Sequence, residues 1–362
     1  MLIVLDEEFR AFDPHTRPDL VECLENVLLS HFLGLHSVYG TRAVMEHIRG
    51  CPGLSDRARS AASKIVTNAS ELGGLAVAVE RKVQLYPNGA RLTGPGQDIW
   101  LTDLSVFRGP EVLQAASVVV ENSEVDGKFL ACCLRGYASI NRRPQPSLEY
   151  RHGGGDTIAN VFVSEARRQL VVICVCDSDR DHPDASVGNT ASGVMRAVEH
   201  LNRETCGFAE AYILDVREME NFLTSEVMLE FLEHIPERIG DLQTLEGAAR
   251  SSALAVQIIQ FVDLKSGVRP PAGSPNPGSR AYFDGQICSY LQKHGNASNA
   301  AANTPYCRCG SNVLRNVILR VMTVADSQKL IGALRRGVHW EGLENLLEAL
   351  LECGLAAQRM RA

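Results

Sequence analysis

Aromatic residues make up only 6% of the 362, and glycine (30) and proline (15) stay near background, so neither a propeller nor a low-complexity architecture is expected. No apolar run reaches the roughly 20 residues that cross a bilayer. Met1 to Leu5 is followed at once by Asp6, Glu7 and Glu8, without the basic flank or apolar length of a secretory leader. An excess of cations is missing too: 36 Lys and Arg face 43 Asp and Glu, a net charge of −7 with histidine neutral. That argues against a surface positive all over but leaves room for a local basic groove, because nucleic-acid affinity depends on clustered side chains. No phosphate loop of the GxxxxGK[ST] form is present, so an ATPase motor would have to come from a partner chain.

What is present is 45% hydrophobic and 22% charged, the profile of a globular chain long enough for about two domains. Collagen-like, disordered and disulfide-stapled chains are excluded. The 11 cysteines are odd in number and scattered, and Cys132, Cys133, Cys174 and Cys176 lie in apolar runs where a thiol acts as a small hydrophobe. A reducing cytoplasm is the expected compartment, with no membrane partner.

Along the chain, residues 1–114 read as an α/β accessory segment. It has an opening strand at 2–5, helical patterns near 18–33 and 55–70, and strands at 75–79 and 99–101. From 115 to 225 strand and helix alternate: strands at 118–120, 148–150, 170–176 and 211–214, helices through 134 and at 158–168 and 192–203. The run LVVICVC (170–176) is unbroken and apolar, as a central parallel strand covered on both faces should be. The series predicts a doubly wound parallel sheet. Residues 226–362 read as mostly helical, broken at 269–280, where four prolines and two glycines deny a regular ladder. An amphipathic helix is expected from Trp340 to Ala357.

In open α/β sheets, ligands gather beyond the carboxyl ends of the strands. Glu121 follows the strand at 118–120; Asp177, Asp179 and Asp181 follow 170–176; Glu218 and Glu220 follow the strand ending near 214. Carboxylates so concentrated repel one another unless protons or a cation relieve them. A hard divalent ion does so best, and Mg²⁺ takes oxygen ligands at about 2.0–2.1 Å while keeping several waters. Such an ion neutralises phosphate charge and lowers the pKa of a bound water, and two such ions would sit about 3.5–4 Å apart.

The ordered motifs are VVVENSEVDGKFL (118–130), HGGGD (152–156), CDSDRD (176–181) and REMENFL (217–223). Over about 110 residues this order resembles the Toprim (topoisomerase-primase) domain, and is similar to the Toprim nucleases of the overcoming-lysogenization-defect type and their relatives in anti-phage defence. The resemblance implies a Toprim-like sheet and a metal-dependent endonuclease using Mg²⁺ or Mn²⁺. By it, Glu121 is the acid/base and a metal carboxylate, Asp177 and Asp179 are the principal ligands, and Glu220 is a supporting one. Gly154 and Gly155 make the turn that lets backbone approach phosphate, and Lys265 in FVDLKSG stabilises the leaving oxygen or binds phosphate. Asn122 stands where the family usually has glycine, and Asp126 lies one residue further from Glu121 than usual, which leaves its role open.

The partners so implied are DNA or RNA and a regulatory protein that restrains or triggers the nuclease, itself a candidate ATPase; oligomerisation stays open. Arg142 and Arg143, with Arg151, are expected to contact phosphate near the metal edge. The rival reading is a non-catalytic sensor or scaffold that binds nucleic acid or a partner, and a second is a nucleotide phosphotransferase. Other signals read as structural first: Asp6 with Asp103 as strand-end turn acids rather than a second nuclease pair, and His182 as part of a solvated loop. Cys307 and Cys309, with Cys288 and His294, lack paired zinc knuckles. Arg335 and Arg336 read as solvated surface, and Tyr306 and Trp340 as packing rings rather than base-stacking platforms.

Overall fold

A computed structural model of the chain describes residues 1–89, 99–109, 113–168, 171–201, 208–270, 279–295 and 304–360. The first sheet is built from β1 (Leu2–Leu5), β2 (Ser37–Tyr39), β3 (Lys82–Tyr86) and β4 (Ile99–Asp103), in the order β2-β1-β3-β4 and parallel throughout. Its helices are α1 (Val21–Leu33), α2 (Arg42–Arg49), α3 (Asp56–Thr67) and α4 (Ala69–Ala78). The second comprises β5 (Ala116–Val120), β6 (Leu148–His152), β7 (Val171–Cys176) and β8 (Phe208–Ile213), in the order β6-β5-β7-β8, again parallel. Each sheet therefore places its first strand between its second and third.

β7 is buried along its whole length, as its run of β-branched and cysteine side chains requires. Its alternate residues serve two cores. Ile173 and Val175, with Val118 and Val120 of β5, face the larger one; Val172, Cys174 and Cys176, with Val119, pack against α6 (Ile158–Ala166) and α7 (Asn189–Leu201). On the larger side lies α5 (Lys128–Ile140), which buries Phe129, Leu130, Leu134 and Tyr137. Each such large apolar side chain contributes about 1.5–3 kcal/mol of burial.

The C-terminal region supplies α8 (Ser225–Phe231), α9 (Ile239–Ala248), α10 (Ala253–Phe261), α11 (Arg280–His294), α12 (Val313–Arg320), α13 (Val324–Leu334) and α14 (Trp340–Cys353). α13 crosses α5 so closely at Gly136 that a Cβ there would lie 2.2 Å from the Ser327 carbonyl oxygen. The larger core runs without a break from Met1 and Ile3 through Val118 and Phe129 to Leu347 and Leu350. Trp100 stacks on Phe208 at 4.1 Å, and Arg81 pairs with both Glu210 (3.4 Å) and Glu352 (3.5 Å). Residues from all three sequence segments thus share one hydrophobic interior.

The strand expected at 75–79 is the end of helix α4, which runs to Ala78; a short apolar run does not separate strand from helix by itself. β2, β3 and α2 were not foreseen. Of the expected proline-rich break, residues 271–278 lie outside the described residues, as do Leu170 and the last residues of the helix expected at 192–203. Among the described residues no helix is long and apolar enough to cross a membrane.

Candidate functional site

The carboxyl edge of the second sheet is held together by backbone contacts made directly at the motif residues. Val120 lies beside His152 of β6 in the ladder. Beyond that pair, the Gly153 N–H donates to the Val120 carbonyl (2.7 Å) and the Gly154 N–H to the Glu121 carbonyl (3.1 Å). A Cβ on Gly153 would stand 2.5 Å from Ile158 Cγ1 and 2.9 Å from the Val120 oxygen, so only glycine fits. Gly154 and Gly155 follow in the left-handed region, with φ of +70° and +54°, where a side chain is penalised. The turn is thereby latched to the backbone of Glu121.

After Glu121 the chain enters a π-helical turn, Ser123–Gly127, which the Asn122 side chain caps by accepting from the Glu124 N–H (3.0 Å). A π turn carries one more residue per hydrogen-bonded loop than an α turn. It turns the chain so that the Asp126 carboxylate points back to accept from the Asn122 N–H (2.9 Å).

The loop after β7 is stitched to the segment after β8. Asp177 Oδ1 accepts from the Met219 N–H (3.1 Å), the Ser178 hydroxyl donates to the Val216 carbonyl (2.7 Å), and the Asp179 N–H donates to the Arg217 carbonyl (3.0 Å). Asn221 then clamps the 3-10 turn Met219–Phe222: its amide nitrogen donates to the carbonyls of Ile259 and Val262, both 2.9 Å away, and its amide oxygen accepts from the Glu218 N–H (3.1 Å). That clamp brings the segment after α10 to the sheet edge. There Lys265 Nζ lies 3.0 Å from Glu218 Oε2 and 3.2 Å from Glu220 Oε1. Arg217 lies 3.6 Å from Glu218 and 3.5 Å from Asp263.

Six carboxylates are gathered here: Glu121, Asp126, Asp177, Asp179, Glu218 and Glu220. Burial, and then the charge of Asp179, raises the Glu121 carboxyl above its ordinary value. Asp126 is pushed up to about 6, chiefly by burial, with the charge of Glu121 adding to it against the Asn122 hydrogen bond. Asp177 is raised well above its ordinary value, through burial and then the charges of Glu121, Asp126, Glu220 and Glu218. Asp179 is raised by burial and Glu218, and Glu220 by burial that the nearby Lys265 only partly offsets. For Lys265, burial acts against the charged form, but Glu220 and Glu218 outweigh it and hold the ammonium protonated. The cluster has more negative charge than its two cations balance, the condition in which a further cation or protons are bound.

The donors are hard oxygens, which suit Mg²⁺ or Mn²⁺ rather than a soft metal. Among the described residues no group of three or more His, Cys, Asp or Glu side chains is already arranged to hold a metal ion. The fit therefore lies in donor chemistry and charge, not in a finished coordination shell. A soft group also lies beside these oxygens: the Cys176 thiol donates to Glu121 Oε1 at 3.5 Å, and burial raises its pKa far above the ordinary value.

Glu121, Asp177, Asp179, Glu220, Lys265, Gly154 and Gly155 all lie at this edge. Arg142 and Arg143 do not. They follow the C-terminal end of α5, in the link to Leu148, which pairs with Ala116 at the opposite edge of the sheet. A helix of α5's length separates them from Glu121 by about 20 Å, and Arg143 faces Glu348 at 3.8 Å. Arg151 is on β6 but is paired with Glu149 (2.6 Å) and Glu165 (3.4 Å). The sequence placed Glu218 among the strand-end carboxylates without giving it a ligand or catalytic role, and left the role of Asp126 open. The Glu-x-Glu spacing of 218 and 220 was the available signal for the first; nothing local announced the π turn that returns the second.

The remaining candidates have structural duties. Asp6 accepts from the Glu8 N–H (2.9 Å) and Gln84 (3.0 Å), and Asp103 from the N–H groups of Gly89 (2.7 Å) and Ser105 (2.8 Å). His182 bonds to Asp181 at 2.7 Å. The Cys307 N–H donates to Asp241 (2.9 Å), and the Cys309 thiol faces the Cys307 carbonyl (3.5 Å). Tyr306 lies under Arg238 at 4.4 Å, and Trp340 donates to Glu344 (2.8 Å) beneath Arg335. Arg336 is bonded to Glu226. Comparisons of the chain with protein-family models, with curated proteins and with solved structures find no match, so the reading of this edge rests on its own residues.

Proposed function

We propose that the chain is a Mg²⁺- or Mn²⁺-dependent endonuclease of the Toprim kind that cuts nucleic-acid phosphodiesters in the cytoplasm. The observation that carries this reading is that the end of β5 and the loop after β7 meet: the Cys176 thiol, next to Asp177, donates to Glu121 Oε1 at 3.5 Å, the charge of Glu121 raises the Asp177 carboxyl, and that of Asp179 raises Glu121. The motif order of the second sheet supports the family; the assignment to prokaryotic anti-phage defence, as an effector held or triggered by a partner protein, rests on that resemblance alone.

Asp177 and Asp179 would hold the ion together with Glu121, and Glu220, whose charge acts on Asp177, would support the site. When bound, the ion supplies charge neutralisation of the phosphate and acidification of water. Glu121, whose carboxyl burial and the Asp179 charge raise above its ordinary value, orients the attacking water and accepts its proton. The left-handed turn at Gly154 and Gly155 leaves no side chain between the backbone and a phosphate oxygen. Lys265 brings the positive charge that offsets charge building on the leaving oxygen.

The test is incubation of the full chain with DNA and RNA panels in Mg²⁺ or Mn²⁺, beside Glu121→Ala and Asp177→Ala. Cleavage by the wild type that disappears in both variants supports the nuclease. Binding without cutting in all three supports a sensor or scaffold instead, and release of product from mononucleotides a phosphotransferase.

A further inference from the structure

The six carboxylates fall into two unequal halves. Glu218 and Glu220 face protein cations: Lys265 Nζ at 3.0 and 3.2 Å, and Arg217 at 3.6 Å from Glu218. Glu121, Asp126, Asp177 and Asp179 have no ion pair among the described residues. The first half is also rigid. Glu220 is buried, and Asn221 next to it is tied to the carbonyls of Ile259 and Val262.

Lys265 is equally fixed. Its own N–H donates to Asp263 Oδ1 (2.9 Å), and the carbonyl of Leu264 accepts from the N–H groups of Cys309 (2.7 Å) and Gly310 (3.2 Å). At Gly267, φ is +71° and a Cβ would meet the Tyr306 oxygen at 2.7 Å, so the turn that carries the lysine packs directly against the 305–308 segment. The ammonium is thus delivered to the two glutamates by the fold, rather than resting there as a long solvated side chain.

A divalent ion and an ammonium cannot occupy the same pair of carboxylate oxygens. An ion drawn to Glu218 and Glu220 would have to evict Lys265 and leave its charge in a half-buried place beside a second, larger one. We infer that the site takes a single divalent ion per chain, on the Glu121, Asp177 and Asp179 side, and that Lys265, seated between Glu218 and Glu220, is a built-in second cation. Glu220 is then an anchor for the lysine rather than a metal ligand. This rests on the metal-dependent reading above, and it replaces the second ion of two-ion phosphodiester chemistry with a side chain.

The test counts Mn²⁺ ions bound to the full chain, by the electron paramagnetic resonance of free Mn²⁺, without substrate. The expected result is one ion on the wild type, one on Lys265→Arg, and two on Lys265→Met, where the two glutamates are released. Adding Glu220→Gln to Lys265→Met should return the count to one. Two ions on the wild type, or one on a folded Lys265→Met, overturns the inference while leaving metal dependence intact. Should Lys265→Met fail to fold, Glu220→Gln alone decides. It should keep one ion, bound more weakly because a neighbouring negative charge is gone, and loss of the ion at saturating Mn²⁺ overturns the inference. No ion on the wild type at millimolar Mn²⁺ ends both readings.

Discussion

Gly188 is packed against Asp179: a Cβ at position 188 would stand 2.6 Å from Asp179 Cβ and 2.7 Å from its Oδ2. The contact matters because Asp179 is itself in the left-handed region, with φ of +53°, a conformation that a non-glycine residue keeps only when its surroundings enforce it. The enforcing bonds are the Asp179 N–H to the Arg217 carbonyl and the Gly188 N–H to the Ser178 carbonyl. Gly188→Ala should therefore displace the Asp179 carboxylate without unfolding the sheet. The expected outcome is a loss of cleavage of about 100-fold, as for a displaced catalytic group, with unchanged far-ultraviolet circular dichroism. Full activity in this variant would show that the position of Asp179 is not critical.

The charged form of Asp177 is destabilised, by burial first and then by its acidic neighbours. Asp177→Asn removes the charge and keeps an oxygen for the Met219 N–H. Without divalent ions the variant should melt higher than the wild type, by about 1–2 kcal/mol of stability, and it should lack the rise in Tm that Mg²⁺ is expected to produce in the wild type. A lower melting point in metal-free buffer would contradict the electrostatic account.

Acid should destabilise the fold through two buried histidines outside the carboxylate cluster. Burial lowers His31 from 6.5 to about 4, and the same cause lowers His339 to about 4 against opposing contacts with Val256 and Asp215. Both are depressed in the folded state, so the unfolded chain binds their protons first. Stability is complete above about pH 6.5, falls as pH drops towards 4, and levels off below it. The slope is about 1.4 kcal/mol per pH unit for each histidine. Asp126, raised from 3.8 to about 6, acts with the opposite sign, gaining stability as pH falls through 6. Urea titrations from pH 7.5 to 4.5 should show the acid-side slope shrink in His31→Asn, whose amide oxygen can still accept the Val38 N–H now bound to His31 Nδ1 (3.0 Å). An unchanged slope would remove His31 from the account.

Arg142 and Arg143 lie at the edge of the sheet away from the carboxylates. Replacing both by alanine should leave the cleavage rate of a short duplex or hairpin within about twofold and its salt dependence unchanged, because a contact made to phosphate carries a slope of about one per charge. A clear drop in that slope would place the substrate across both edges.

The parts of this architecture that could be read in advance are those written in neighbouring residues. VVICVC is a buried strand because every side chain in it is apolar and most are β-branched; it is found as β7, buried throughout. The residues after β5, β6 and β7 were legible for the same reason, since a parallel sheet sends all its strand ends to one edge. The apolar stretch at 75–79 was misread because length and flanks, not composition, separate a short strand from the end of a helix.

Local pattern alone determined the second sheet's central strand, the glycine turn after β6 and which carboxylates stand at strand ends. Tertiary structure decided the rest. The π turn returned Asp126 to the edge, α5 carried Arg142 and Arg143 away from it, and the Asn221 clamp brought the turn of Lys265 against Glu218 and Glu220. Such meetings join residues far apart in the chain, and they depend on the packing of whole elements, a sum of many weak contacts that no short stretch of sequence contains.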